Sequence, residues 1–175
     1  LLENHKFEEI QYLFWRNSNL NFNNPLSLIK SLDEKPKKSW LRKIHECEDE
    51  KALKFFLRAK NLENIEFNEN KLTLLWECCQ IPDFVKKTYG NHYEVIGNVF
   101  KYLNSEKGKI SDDYMRLQLM KLDKLDGNVD SLSNRIANVR TWSYVSNKNN
   151  WVENQKYWIE KTKLLEDRLS DRLHE

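Results

Sequence analysis

Glycine and proline are scarce, four and three in 175 residues, too few for the many tight turns of an all-β fold. Three cysteines, Cys47, Cys78 and Cys79, cannot pair completely, and the adjacent pair has the wrong spacing for a zinc knuckle or a redox Cys-x-x-Cys. Small buried thiols in a reducing compartment are the expectation. No apolar run approaches the roughly 18 residues that span a bilayer, and the N-terminus lacks the basic, apolar and small-residue order of a signal peptide. An excess of one charge is also missing: 29 Lys and Arg nearly cancel 27 Asp and Glu. Any binding to nucleic acid must therefore come from a local patch rather than a global field.

Phosphate-binding glycine loops, G-x-x-x-x-G-K-[ST] or G-x-G-x-x-G, do not occur. The four histidines, His5, His45, His92 and His174, fall in separate segments without metal-ligand spacing. Glu77 and Asp83, flanking the "CCQIPDF" corner, are the residual acid–base candidates, whereas "ECEDE" and the pair Asp112 and Asp113 read as helix N-termini, where acids offset the dipole. No catalytic, cofactor-binding or metal-ligating residue emerges.

What the chain does have is helical periodicity and enough apolar residues, 39% of the total, for a real core. The class is all-α, an irregular multi-helix bundle. "HKFEEIQYLFWRN" places Phe7, Ile10, Leu13 and Phe14 at helical spacing. Asn24 and Pro25 open a second helix as N-cap and first-turn proline, which ends before the charged loop "DEKPKK". "ECEDEKALKFFLRAKNL" groups Leu53, Phe56 and Leu57, and "NENKLTLLWECCQ" a stripe of Leu72, Leu75, Trp76 and Cys79, stopped by Pro82. Asn91 is read as the cap of a helix carrying Val95, Val99 and Leu103; Ser111 or Asp112 caps the next. Residues 128–147 form a strong helix, and "NKNN" turns into a last one starting near Trp151, with Trp158, Thr162, Leu165, Leu169 and Leu173 as a packing seam. That helix has no stop signal, and the chain starts without methionine. The expectation is a segment cut from a longer protein.

The residues that raise the question of function are basic and aromatic. Advancing 100° per residue, Leu132, Ile136 and Val139 share one helix face. Arg135 lies between Val139 and Trp142, and Arg140 on the opposite border near Val129. Both arginines are placed to bury their stems and hold their guanidinium groups at the core edge. There they either pair with acids such as Asp126 or Asp130 or with neighbouring helices, or touch phosphate while Trp142 or Tyr144 offers a stacking face. Arg16 in "WRN" and the run "KPKKSWLRK" (Lys35, Lys37, Lys38, Arg42, Lys43) form a second candidate patch or a solvated loop.

"LFWRNSNLNF", "LSLIKSL", "LLWECCQIPDF", "DGNVDSLSNRIANVRTWSYVSNKNNW" and "KLLEDRLSDRLHE" together resemble, in this order, the region after the second RecA-like domain in bacterial relatives of the mitochondrial degradosome RNA helicase, which are superfamily-two DExH helicases. The resemblance covers nearly the whole chain and is thinnest from Lys35 to Asn70. It implies a C-terminal helical accessory region: residues 1–34 as a connector from the missing RecA-like domain and residues 35–175 as the accessory domain. It further implies that ATP and magnesium bind the parent's RecA-like domains and that single-stranded RNA or DNA passes along this region, while a ribonuclease or a second copy as partner belongs to the competing reading. The location would be bacterial cytoplasm, or the mitochondrion in a eukaryote. None of the family's ATPase motifs has a matching position here. Arg135, Arg140 and Trp142 are the first candidates for the strand-facing wall, and Arg16 a weaker one. The competing reading is a protein-interaction or scaffold domain; burial of Trp151, Trp158 and the leucine seam would count against it.

Overall fold

The computed structural model describes residues 12–59, 65–86 and 89–175. Among these residues it holds seven helices and one pair of three-residue strands, so the multi-helix architecture is as expected, with a small parallel strand pair added to it. The chain divides into two units, Leu1–Cys79 and Gln80–Glu175. Position 34/35 lies within the first of these, where segments on either side of it are hydrogen-bonded to each other.

In the N-terminal unit, β1 (Leu13–Trp15) runs parallel to β2 (Leu41–Lys43), with Leu13 opposite Leu41, Phe14 opposite Arg42 and Trp15 opposite Lys43. The helix expected through Leu13 and Phe14 is thus a strand; its other anchors, Phe7 and Ile10, lie outside the described residues. A short apolar run fits either period, and here the pairing with Leu41–Lys43 decides it. Between the strands, α1 (Pro25–Leu32) is capped by Asn24, whose Oδ1 accepts from Ser27 N at 2.9 Å. Asn17, nearly buried, donates through Nδ2 to Ser31 O at 2.9 Å and to Glu34 Oε2 at 2.8 Å, tying β1 to the end of α1. The core is made by Leu28 and Leu32 of α1, Ala52, Leu53 and Phe56 of α2 (Glu48–Arg58), and the expected stripe Leu72, Leu75, Trp76 and Cys79 of α3 (Glu69–Cys79). Leu57 is only half-buried.

The C-terminal unit is built from longer helices: α4 (Tyr89–Leu103), α5 (Asp112–Leu122), α6 (Val129–Asn147) and α7 (Gln155–Leu173). Asn91 is the third residue of α4 rather than its cap, and the buried stripe of that helix is Ile96, Val99, Phe100 and Leu103, with Val95 half-buried. Ser111 caps α5 and Asn128 caps α6, each accepting from the backbone N–H three residues on. Gly127, at φ +108°, makes the turn into α6 in a conformation that side chains other than hydrogen disfavour. The last helix starts at Gln155, four residues later than Trp151. The reason is a parallel bridge of Ile110 to Val152, with Ile110 N donating to Trp151 O at 2.8 Å, which pins the loop before α7 to the loop before α5. Trp158 then reaches back, its indole N–H donating to Asp112 Oδ1 at 2.8 Å. Helices α6 and α7 pack along the expected seam: Trp158, Thr162, Leu165 and Leu169 are buried against a unit core containing Leu132, Ile136, Val139 and Val145.

Candidate nucleic-acid interface

Of the four residues expected at a strand-facing wall, Arg16 belongs to the N-terminal unit and Arg135, Arg140 and Trp142 to the C-terminal unit, and each is engaged within its own unit. Arg135 is largely covered, and its Nη1 donates to the backbone carbonyls of Lys124, at 2.7 Å, and Asp126. Its Nη2 stands 4.0 Å from Asp126 Oδ1. Of the two roles open to Arg135 in the sequence, pairing with Asp126 is the one observed: the guanidinium closes the turn that leads into α6. Arg140 donates from Nε to Glu166 Oε1 at 2.8 Å, clipping α6 to α7, with about half its side chain in solvent (53% exposed). Trp142 is 3% exposed and meets Tyr114 edge-on, ring centroids 5.8 Å apart, so it presents no open stacking face.

Arg16 occupies the centre of the N-terminal unit. Its guanidinium makes a two-point bond to Asp49, Nη1 to Oδ1 at 2.7 Å and Nη2 to Oδ2 at 3.1 Å, and lies 5.5 Å from the Trp76 ring centroid. The hydrogen bond to Asp49 raises its already high pKa, outweighing burial. Glu50, beside it and 1% exposed, accepts from Cys47 N through Oε2 at 3.2 Å, while its Oε1 is buried without a hydrogen-bond donor among the described residues and stands 3.8 Å from Arg16 Nη1. Arg16 is therefore the counter-charge that lets two acids sit at the start of α2, since a buried carboxylate without a cation is strongly disfavoured.

The second patch reads differently. Side chains alternate across a strand, and partners in register share a face. The register therefore puts Phe14 on the same face as Arg42, whose guanidinium also reaches the Tyr12 ring, while Trp40 stands in the turn that leads into the second strand. All four are exposed: Tyr12 42%, Phe14 71% and Trp40 52%, with Arg42 also open to solvent. The Arg42 guanidinium carbon lies 3.8 Å from the Tyr12 ring centroid, and Lys38 Nζ lies 5.0 Å from that of Trp40. From Lys35 to Lys43 the sequence carries five cations and no acid. Exposed aromatic side chains, guanidinium stacking and a local positive field thus occur together around this small sheet. Sequence reasoning named the cations here but missed the face, because "WLR" looks like a loop until its strand pairing is known.

Other candidate chemistries are accounted for structurally. Asp83 Oδ1 accepts from Val85 N and Lys86 N, at 3.2 and 3.0 Å, and so shapes a turn. His92 Nε2 lies 2.8 Å from Ile81 O. Cys78 and Cys79 are buried and form no disulfide among the described residues, and desolvation holds the Cys79 thiol well above its ordinary pKa, against any nucleophilic or metal-binding role of that residue. Among the described residues no group of three His, Cys, Asp or Glu is placed to hold a metal ion, and no helix is long and apolar enough to cross a membrane.

No protein-family model, curated protein or solved structure matches the chain. The chemistry of the exposed face and the resemblance of the quoted segments are thus the two supports for a functional reading.

Proposed function

We propose that the chain is a helical accessory module of an ATP-dependent, superfamily-two RNA or DNA helicase, contributing a contact for the single strand while RecA-like domains, with ATP and magnesium, supply the motor. The observation that carries the strand-binding part is the exposure of Tyr12, Phe14, Trp40 and Arg42 around the small sheet, beside an acid-free basic run. Single strands are held without sequence preference by such surfaces: bases stack on aromatic rings, at about 1–3 kcal/mol each, while Lys and Arg follow the phosphates. With a net charge of only +2 over the whole chain, such a face makes a weak binder alone and a useful wall beside a motor that supplies the remaining contacts. Arg140, half in solvent, is the one earlier candidate still able to add a phosphate contact.

The scaffold reading, with a ribonuclease or another subunit docked on the terminal helices, loses its main support. Trp151, Trp158, Leu165 and Leu169 are buried within the C-terminal unit and Leu173 is half-buried, so most of that seam is core rather than a free face. A direct test of strand contact is quenching of tryptophan fluorescence on adding oligo-U or oligo-dT. Saturable quenching is expected in the intact chain and not in Trp40→Ala, with affinity falling roughly fivefold to tenfold between 50 and 200 mM salt if two phosphates are neutralised. Equal quenching in Trp40→Ala would remove the sheet face from the binding surface.

A further inference from the structure

Helices α4, α5 and α6 of the C-terminal unit enclose a half-open cleft of about 590 Å3, within the range of small-molecule sites. Each helix turns one stripe toward it: Asn91, Glu94 and Asn98 from α4, Tyr114, Gln118 and Lys121 from α5, Asn138 and Trp142 from α6. These stripes are unusually rich in carboxamides. Asparagine is common in this chain, and several serve as helix caps, as at Asn24, Asn68 and Asn128, each accepting from a first-turn backbone N–H. Asn98 and Asn138 instead stand in the middle of helices, where asparagine is a poor helix former. An aliphatic side chain at either place would favour the helix and close the gap.

The lining has the chemistry of base recognition. A carboxamide sets a donor beside an acceptor, the pattern that Asn and Gln use against the hydrogen-bonding edge of a nucleobase. Asn138 Nδ2 donates to Asn134 O at 2.9 Å, which leaves its Oδ1 to accept from a ligand. The Tyr114 ring forms an aromatic wall, held by Tyr102 at 4.8 Å and by the edge of Trp142 at 5.8 Å between centroids. Burial raises the pKa of its hydroxyl, which therefore stays neutral. Lys121 supplies one cation and Glu94 one carboxylate, suited respectively to a phosphate and to sugar hydroxyls.

We infer that this cleft is a nucleobase-binding site, taking the base of a mononucleotide or an unstacked base of a single strand. It is distinct from the sheet face of the N-terminal unit and is tested without it. The experiment titrates adenosine, guanosine, cytidine and uridine monophosphates, with ribose 5-phosphate as control, into the isotope-labelled chain, and follows the side-chain amide signals of Gln118 and Asn138 and the Trp142 indole signal. Saturable shifts are expected with at least one mononucleotide and not with ribose 5-phosphate. Gln118→Leu combined with Asn138→Leu should weaken binding at least tenfold, and Lys121→Ala should weaken the monophosphate but leave the matching nucleoside unchanged. An oligonucleotide giving the same shifts, with its abasic counterpart silent, would assign the base to a strand; shifts from mononucleotides alone would assign it to a free nucleotide. Equal shifts with ribose 5-phosphate, shifts only with a blocked dipeptide amide, or no shift with any nucleotide at tens of millimolar would overturn the inference. Because these signals belong to the cleft, the outcome is independent of Trp40 and of strand binding at the sheet face.

Discussion

"WLR" and "RTW" place a tryptophan and an arginine two residues apart, and the two pairs have opposite fates. Trp40 stands in the turn that opens the second strand and Arg42 within that strand, and both side chains are open to solvent. At Arg140 and Trp142 the chain is a helix, the two-residue step turns about 200°, and the ring is buried while the cation reaches Glu166 at the surface. Identical residue types are therefore both exposed in one unit and split between core and surface in the other. Local backbone conformation, not proximity in sequence, decides whether an aromatic and a cation are both left open to solvent.

The contrast extends to what holds each unit. The C-terminal unit relies on a long apolar seam, and the largest loss is expected there: Trp158→Ala removes a 1% exposed ring and the partner of Asp112, costing about 3–5 kcal/mol in urea unfolding. A loss below about 1 kcal/mol would mean the seam is not the core. The N-terminal unit depends more on a polar centre. Arg16→Met leaves Asp49 and buried Glu50 without their cation, with an expected loss of about 2 kcal/mol, and adding Glu50→Gln should restore part of it. No recovery in the double variant would show that Arg16 acts mainly by packing on Trp76.

Smaller effects separate turn from ion pair. Gly127→Ala sets a Cβ 3.1 Å from Ser131 Cβ at a φ of +108°, and about 1–2 kcal/mol should be lost in thermal unfolding. Arg140→Ala breaks a half-exposed pair with Glu166 and should change stability by less than about 1 kcal/mol; a larger change would make the clip between α6 and α7 a principal contact.

Much of the helical framework was legible. Asn24 and Ser111 announce their helices because a cap is a local arrangement, read within four residues. The seam of α7 and the stripe of α3 are legible for the same reason, since period is a local property. The fate of each arginine was not: Arg16 finds Asp49, 33 residues on, and Arg140 finds Glu166, 26 residues on, and neither distance is written in the helix that carries the cation. The start of α7 was misplaced because Trp151 is claimed by a bridge to Ile110 from another segment. The strand pair was missed because three residues are too few to show a period. The exposed face and the amide-lined cleft both arise from segments brought together by tertiary contacts, and each contributing stripe alone reads as an ordinary polar surface.

The division between a strand-contacting sheet face and framework arginines is tested most directly by one anisotropy series. A labelled single-stranded RNA is titrated with the unaltered chain, with Phe14→Ala/Trp40→Ala, and with Arg135→Ala/Arg140→Ala, each first shown by circular dichroism to keep its helix content. The expected result is an affinity loss of at least tenfold for the aromatic pair and less than threefold for the arginine pair. The reverse order, with the arginine pair abolishing binding and the aromatic pair leaving it intact, would contradict the assignment and return the strand to the α6 surface.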